Sequence, residues 1–272
     1  MSDPRSDAEV SRDVAQRAGQ LLLKIRADFV AEHGEVQDKE TANKLRDQAD
    51  ASSNDLILDF LADARPGDSV LSEEAKDDSS RLESDRVWIV DPLDGTWEYG
   101  QNRPDFAVHV ALWAGGELHA CTVDLPAQDM TRSVLDDVDG LPLDTTRPIR
   151  VVASRSRPPA TLDATCSVLG GLLAAAGISD RGVEVVDVGS VGAKVNEILK
   201  GRADVYLHDT GFYEWDVAAP YGVAMHYGLR CSNTGGETIT FNHMPPYVNN
   251  LVVAHPTLYP YVMQALAEAS AT

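Results

Sequence analysis

Val87-Trp88-Ile89-Val90-Asp91-Pro92-Leu93-Asp94-Gly95-Thr96 is the stretch from which the rest of the chain can be read. Its first four residues form an apolar run that reads as a short buried strand. Two carboxylates follow, three residues apart, where that strand ends. Pro92 withholds a backbone donor and fixes φ, and Gly95 permits a tight backbone path that a side chain would block. A rigid turn carrying two acids and a glycine at a strand end suits a hard metal ion and a phosphate.

On the N-terminal side, Val10, Val14, Ala18, Leu21, Leu22, Ile25 and Phe29 recur at helical spacing and predict a helix over Glu9 to Ala31. Residues 34–50 are polar, show no apolar period and read as a loop of the kind that carries function. A second helix is expected to start at Ser52-Ser53-Asn54, which offer capping side chains, and to stop at Pro66-Gly67. Short strands follow over Ser69–Ser72, Val87–Val90, Ala107–Trp113, Leu118–Asp124 and Thr131–Leu135, with Gly115-Gly116 as a hairpin turn. The first half thus reads as two helices and then antiparallel strands, an α+β layer.

Asp136 to Pro148 is rich in turn formers and marks a boundary, giving domains 1–147 and 148–272. Beyond it strands at Arg150–Ala153, Val183–Val188, Asp204–Leu207 and Leu251–Ala254 alternate with helices at Ala160–Ala176, Val191–Lys200, Val217–Tyr227 and Pro256–Glu268. That alternation predicts an α/β half with helices on both sheet faces.

Composition narrows the functional classes. The formal charge is −20, and residues 1–146 hold 14 Lys and Arg against 32 Asp and Glu, a net of −18. Such a surface argues against nucleic-acid or anionic-membrane binding, and an acidic protein that binds a phosphate needs cations between the two. No run approaches the roughly 18 apolar residues of a membrane span, and the polar N-terminus lacks a signal-peptide pattern, so a cytoplasmic protein is expected. Cys121, Cys166 and Cys231 are odd in number and widely spaced, forming neither a disulfide framework nor a zinc site.

Glu73 and Glu74 follow one short strand, Asp91 and Asp94 the next, and Asp216 opens a helix in the second half. Were these acids to converge, each like-charge pair at ~4 Å would cost about 1–4 kcal/mol, so protons or cations must neutralise the group. All-oxygen ligands favour Mg²⁺, Mn²⁺ or Ca²⁺ over zinc. Spacing alone leaves two readings open, because strand-end solubilisers and helix caps look the same; Asp216 is equally an N-cap.

Trp88-Ile89-Val90-Asp91-Pro92-Leu93-Asp94-Gly95-Thr96 with Tyr99, the segment Trp215-Asp216-Val217-Ala218-Ala219-Pro220, and the upstream pair Glu73-Glu74 together resemble the signatures of the inositol-monophosphatase superfamily, in matching order over nearly the whole chain. Leu71-Ser72-Glu73-Glu74-Ala75, Ser154-Arg155-Ser156, Gly189-Ser190-Val191-Gly192-Ala193-Lys194 and Tyr206-Leu207-His208 ahead of Glu214 make it most similar to actinobacterial CysQ-type 3′(2′),5′-bisphosphate nucleotidases. The resemblance implies a layered αβαβα sandwich with the site between its halves. It implies Mg²⁺ held by Glu73, Asp91 and the Leu93 carbonyl, a second Mg²⁺ held by Asp91, Asp94 and Asp216, and a third assisted by Glu73. Gly95 and Thr96 amides would face the phosphate, and Thr96 Oγ1 would position the attacking water.

One segment departs from that pattern. Where the superfamily has two acids upstream, this chain reads Asn43-Lys44-Leu45-Arg46-Asp47-Gln48-Ala49-Asp50. Asp50 aligns with the second acid and no acid falls on the first, so Asp47 is the candidate for orienting Thr96. Leu229 also stands where a small residue is usual. For the substrate, Ser190 and Lys194 are candidates for a non-reacting phosphate, Arg155 for a phosphate or an adenine ring, and His208 and Glu214 for ribose or base. His109 reads as a satisfied core residue, and Trp97 stands where relatives often carry a basic side chain.

The expected activity is Mg²⁺-dependent removal of the 3′-phosphate of adenosine 3′,5′-bisphosphate, extending to 3′-phosphoadenylyl sulfate in sulfate assimilation, with lithium sensitivity. An inositol-1-phosphate or fructose-1,6-bisphosphate phosphatase shares the metal motifs, and a catalytically silent nucleotide or metal sensor would share the fold. The partner expected is a small phosphate ester, with no nucleic acid and no membrane, and a homodimer is compatible with the resemblance.

Overall fold

The computed structural model describes residues 3–34, 36, 38–77, 79–138, 140–141, 143–155 and 157–271; Ser156 of the Ser154-Arg155-Ser156 stretch lies outside them. The chain opens with helices α1 (Asp7–His33) and α2 (Lys39–Ala64). Strands β1 (Ser69–Ser72) and β2 (Arg86–Asp94), a short helix α3 (Thr96–Gly100), and strands β3 (Ala107–Ala114), β4 (Glu117–Leu125) and β5 (Met130–Ser133) complete the first half. Next come β6 (Ile149–Ser154), α4 (Leu162–Ala175), β7 (Val183–Val188), α5 (Val191–Leu199), β8 (Val205–His208) and β9 (Phe212–Tyr213). The chain ends through α6 (Glu214–His226), β10 (Arg230–Ser232), β11 (Tyr247–Val248), β12 (Leu251–Ala254) and α7 (Tyr259–Ser270).

Two five-stranded sheets form, in the orders β1-β2-β3-β4-β5 and β10-β12-β8-β6-β7. Successive side chains of a strand point to opposite faces, and each sheet packs against helices on both faces. Trp88 and Val90 of β2 pack with α1 and α2, while Val87 and Ile89 pack with α5 and α6. Val152 of β6, Tyr206 of β8 and Val253 of β12 join that same α5–α6 layer from the second sheet. Their neighbours Val151, Val205 and Val252 face α4 and α7. The layers therefore run helix, sheet, helix, sheet, helix, as expected. Gly115 and Gly116 both take positive φ at the β3–β4 hairpin, the conformation such a turn requires.

Three expectations need correction. Residues 39–50 are the first half of α2 and not a loop. Asp38 caps this helix through Thr41 N at 2.9 Å, and Glu40–Lys44 adds an i,i+4 ion pair. Its buried face uses Ala42, Leu45 and Ala49, residues too small or too sparse to register as an apolar period. Ser53 and Asn54 consequently lie inside the helix, where the Ser53 hydroxyl donates to the Pro92 carbonyl (2.8 Å) and Asn54 Oδ1 accepts from the Ser72 hydroxyl (2.8 Å). Finally, β1 runs parallel to β2 while β3–β5 continue antiparallel. The three cysteines are free. Among the described residues no helix is long and apolar enough to cross a membrane.

Candidate active site

The parallel register sets Ser72 beside Val90, so Glu73 and Asp91 emerge together from neighbouring strand ends, with Glu73 N donating to the Val90 carbonyl at 3.3 Å. The register shifts between Asp91 and Asp94, where Pro92 breaks the ladder. Asp91 Oδ1 braces the turn by accepting from Leu93 N at 3.0 Å. Ser53 of α2 ties the Pro92 carbonyl from outside. Gly95 then takes φ 86°; a Cβ there would lie 3.2 Å from Ser190 Cβ and 3.3 Å from the Asp105 carbonyl, so glycine permits the first half to meet the second.

Burial and mutual repulsion dominate the electrostatics. Asp91 is 1% exposed and its Oδ2 is buried with no hydrogen-bond partner. Burial first, then Glu73, Asp94, Asp216 and Asp50, holds its pKa well above the usual carboxylate range. Desolvation followed by repulsion from Glu73, Glu74 and Asp47 pushes Asp50 up to about 8. Asp216 rises to about 8 through burial and then Asp94. Glu73 is exposed overall, so desolvation acts on its cleft side; with Asp94 and Glu74 it lifts the pKa to about 7. Buried polar groups are normally hydrogen-bonded. The orphaned Asp91 oxygen and the crowded carboxylates therefore fit a hard divalent cation, whose charge would relieve both.

Asp94 and Asp216 are each divided between structure and site. Asp94 Oδ2 accepts from Val191 N (2.6 Å) and Gly192 N (3.3 Å) at the start of α5. Asp216 Oδ2 accepts from Tyr213 N at 2.7 Å as part of a capping box. The capping reading of Asp216 is thus true of one oxygen, and the other remains for the cleft. His109 pairs with Asp91 across β2 and β3, and its Nε2 lies 3.4 Å from Asp94 Oδ2. Ligand atoms of Asp91, Asp94 and His109 lie within 4.8 Å of one another. The histidine is fully buried as expected, but among the described residues neither ring nitrogen has a hydrogen-bond partner of normal geometry. Burial lowers its pKa against the raising influence of Asp94 and the Trp215 backbone.

A cavity of about 160 Å³ adjoins the acids, bordered by Asp94, Gly95, Ser190, Lys194, His208 and Asp216. Ser190 caps α5 by accepting from Ala193 N at 3.0 Å. Lys194 is 5% exposed; its ammonium is bonded to the Gly189 and Ser190 carbonyls, and burial lowers its pKa. His208 stacks on Phe212 at 4.1 Å between ring centroids, and burial brings its pKa down to about 4, so it is neutral near pH 7. Arg155 also borders the cavity.

Two expected site residues lie elsewhere. Glu214 is fully buried, and its carboxylate accepts from Asn242 N (2.7 Å) and His243 N (2.8 Å). The same turn is gripped by Arg81, which donates to Asn242 Oδ1 (2.5 Å) and the His243 carbonyl (2.7 Å). Glu214 is therefore an internal brace, fully buried and outside the cavity lining. Asp47 is exposed on α2, and among the described residues no hydrogen bond joins it to Thr96. The buried acid of that helix is Asp50. Asp50 had its alignment as a signal; His109 could have been found from its strand pairing opposite Asp91. Tyr206, part of the Tyr206-Leu207-His208 stretch, and Arg157 also border the cavity; Arg157 carried no signal of its own.

The sequence pattern of the inositol monophosphatase family matches residues 3–271. The chain is 36% identical over 260 residues to the 3′-phosphoadenosine 5′-phosphate phosphatase of Mycobacterium bovis, covering 93% of this chain and 90% of the relative. It is 36% identical over 275 residues to the protein of the same description from Mycobacterium leprae, covering 97% and 94%. In three dimensions it is similar to CysQ from Bacteroides thetaiotaomicron, with a TM-score of 0.71, 24% identity and coverage of 92% of this chain and 97% of the other. The chain belongs to the inositol monophosphatase family.

Proposed function

We propose that this protein is a divalent-cation-dependent phosphomonoesterase that removes the 3′-phosphate of adenosine 3′,5′-bisphosphate, with 3′-phosphoadenylyl sulfate as a related substrate. The observation that carries the reading is a group of acids crowded enough to raise one another's pKa, beside a cavity that holds the cation Lys194. Relatives 36% identical over nearly the whole chain and named for that reaction support the substrate.

Glu73, Asp91, the Leu93 carbonyl, Asp94 and Asp216 would hold Mg²⁺, in two or three ions. The bound ion supplies charge neutralisation and a water acidic enough to ionise near neutral pH. Thr96, at the start of α3, would orient the attacking water, with Glu73 as the neighbouring carboxylate. Asp50 replaces Asp47 as the α2 acid of this group. Ser190 and Lys194 would receive the non-reacting phosphate, and the neutral His208 would meet the ribose. Residues 1–147 thus carry the acids except Asp216, and 148–272 carry the substrate contacts. Phosphoryl transfer calls mainly for positioning and charge neutralisation, which these groups supply without a side-chain nucleophile.

The test is phosphate release from adenosine 3′,5′-bisphosphate, inositol 1-phosphate and fructose 1,6-bisphosphate, each with Mg²⁺ and with a chelator. We expect kcat/KM for the nucleotide to lead by at least about tenfold and chelator to abolish turnover. A similar lead for inositol phosphate would refute the substrate, and chelator-resistant turnover would refute the cation requirement.

A further inference from the structure

Arg155 borders the cavity in a setting unlike that of Lys194. Its Nη1 lies 3.4 Å from Glu98 Oε1 and its Nη2 3.7 Å from Asp105 Oδ2, so the guanidinium sits between two carboxylates. Asp105 is itself anchored, by Arg103 at 2.9 and 3.1 Å and by Gly189 N at 3.0 Å. Contacts from two guanidinium nitrogens to two acids, one of them anchored, hold the group beside the cavity. Lys194, by contrast, is bonded to backbone carbonyls, and its charge remains for an anionic ligand.

Behind Arg155 stands Trp97. The guanidinium carbon lies 5.7 Å from the centre of the indole ring, within range of a cation–π contact. Trp97 follows Thr96 directly on α3 and is 50% exposed. Arg155 and Glu98 border the cavity while Trp97 does not, so the guanidinium is the surface the cavity presents and the indole its support.

We propose that Trp97 and Arg155, mounted on Glu98 and Asp105, form a flat stacking wall that selects a purine base, making Trp97 a specificity-determining residue. This rests on the nucleotide reading above and deepens it. A guanidinium plane stacks on aromatic faces, and a purine offers such a face. An inositol or hexose ring offers hydroxyls and C–H bonds and no such face. The reacting phosphate is common to both substrate classes, so discrimination falls on the surfaces that meet the rest of the substrate, of which this wall is the one suited to a base.

The test compares wild type, Trp97→Ala and Trp97→Phe. Calorimetric titration with adenosine 5′-phosphate and with ribose 5-phosphate, which lacks the base, reads the wall without turnover. Wild type should bind the adenosine compound more tightly than the ribose compound. Trp97→Ala should weaken adenosine 5′-phosphate by about two- to thirtyfold, the range of a lost cation–π support, and raise the KM for adenosine 3′,5′-bisphosphate in parallel. Its affinity for ribose 5-phosphate should change far less, and Trp97→Phe should restore most of the loss. Equal weakening of both compounds by Trp97→Ala, no weakening of either, or equal wild-type affinity for the two would overturn the wall. A wild type that binds the adenosine compound preferentially but hydrolyses no bisphosphate would refute the reaction and leave the wall standing.

Discussion

Glu214 and Asp216 stand two residues apart at the start of α6 and face opposite ways, because each residue turns a helix by about 100°. Proximity to Trp215-Asp216 in the sequence made Glu214 a candidate for the substrate, but it could not say which side of the helix the residue takes. Asp47 and Asp50 repeat the lesson on α2, where the side centred on Ala42, Leu45, Ala49 and Ser53 takes in Asp50 at its margin and leaves Asp47 in solvent. The acids of Asp91-Pro92-Leu93-Asp94 were legible because proline and glycine restrict the turn so tightly. Glu214 now carries a prediction of its own. Glu214→Gln leaves one carbonyl oxygen for two backbone N–H groups and brings an NH₂ group against the other. Loss of a charge-assisted bond of this kind costs about 1.5–3 kcal/mol. Thermal melts should show that loss, while the KM for the phosphate ester stays near wild type; a raised KM with an unchanged melting temperature would return Glu214 to the substrate site.

Among the elements, strands with apolar runs and long helices with a regular stripe were read within a few residues of their bounds. Elements held by something other than apolar area were missed. The front half of α2 buries small residues, and β9, β10 and β11 are two or three residues long, too short for alternation to show. The close approach of α5 to the first sheet was also invisible. A Cβ on Gly192 would lie 2.4 Å from His109 Nε2 and 2.7 Å from Val123 Cγ1, both inside contact distance. Helix propensity alone would favour alanine there by about 1 kcal/mol, whereas overpacking a tight interface costs about 1–3 kcal/mol, so packing should prevail. Gly192→Ala is expected to lower the melting temperature. It should also raise the Mg²⁺ concentration needed for half-maximal thermal stabilisation, because displaced α5 amides no longer fix Asp94. An unchanged Mg²⁺ requirement in a folded variant would break the link between α5 and the acids.

For the molecule as a whole, charge is the property the sequence disclosed best and structure refined most. The net of −18 in residues 1–146 is diffuse in one dimension; in three, a few of those acids converge with Asp216 from the other half. Folding raises the pKa of Glu73 to about 7 and those of Asp50 and Asp216 to about 8, against about 4 for exposed carboxylates. A carboxylate raised in this way binds its proton more tightly when folded, so its favourable contribution is complete below about pH 4 and is lost as pH rises through 7 to 8. Without divalent cations the melting temperature should therefore fall as pH rises toward 8. Mg²⁺ should stabilise more strongly at pH 8 than at pH 5.5, since at low pH it must displace protons. Scanning calorimetry in chelator and in Mg²⁺ across that range decides the matter, and a melting temperature that climbs with pH in chelator would contradict the crowding of these acids.

The α5–α6 layer has a mechanical consequence. Ile89 and Ala111 of the first sheet share one core with Val152 and Tyr206 of the second, through Val195, Val217 and Ala218 between them. A hinge requires two bodies that separate along a seam, and here the seam is filled. Rotating one sheet against the other would tear open the largest buried apolar cluster among the described residues. Ligand entry and product escape are therefore expected to use the cavity's existing opening, beside the exposed Arg155 and Arg157, with no rotation of one sheet against the other.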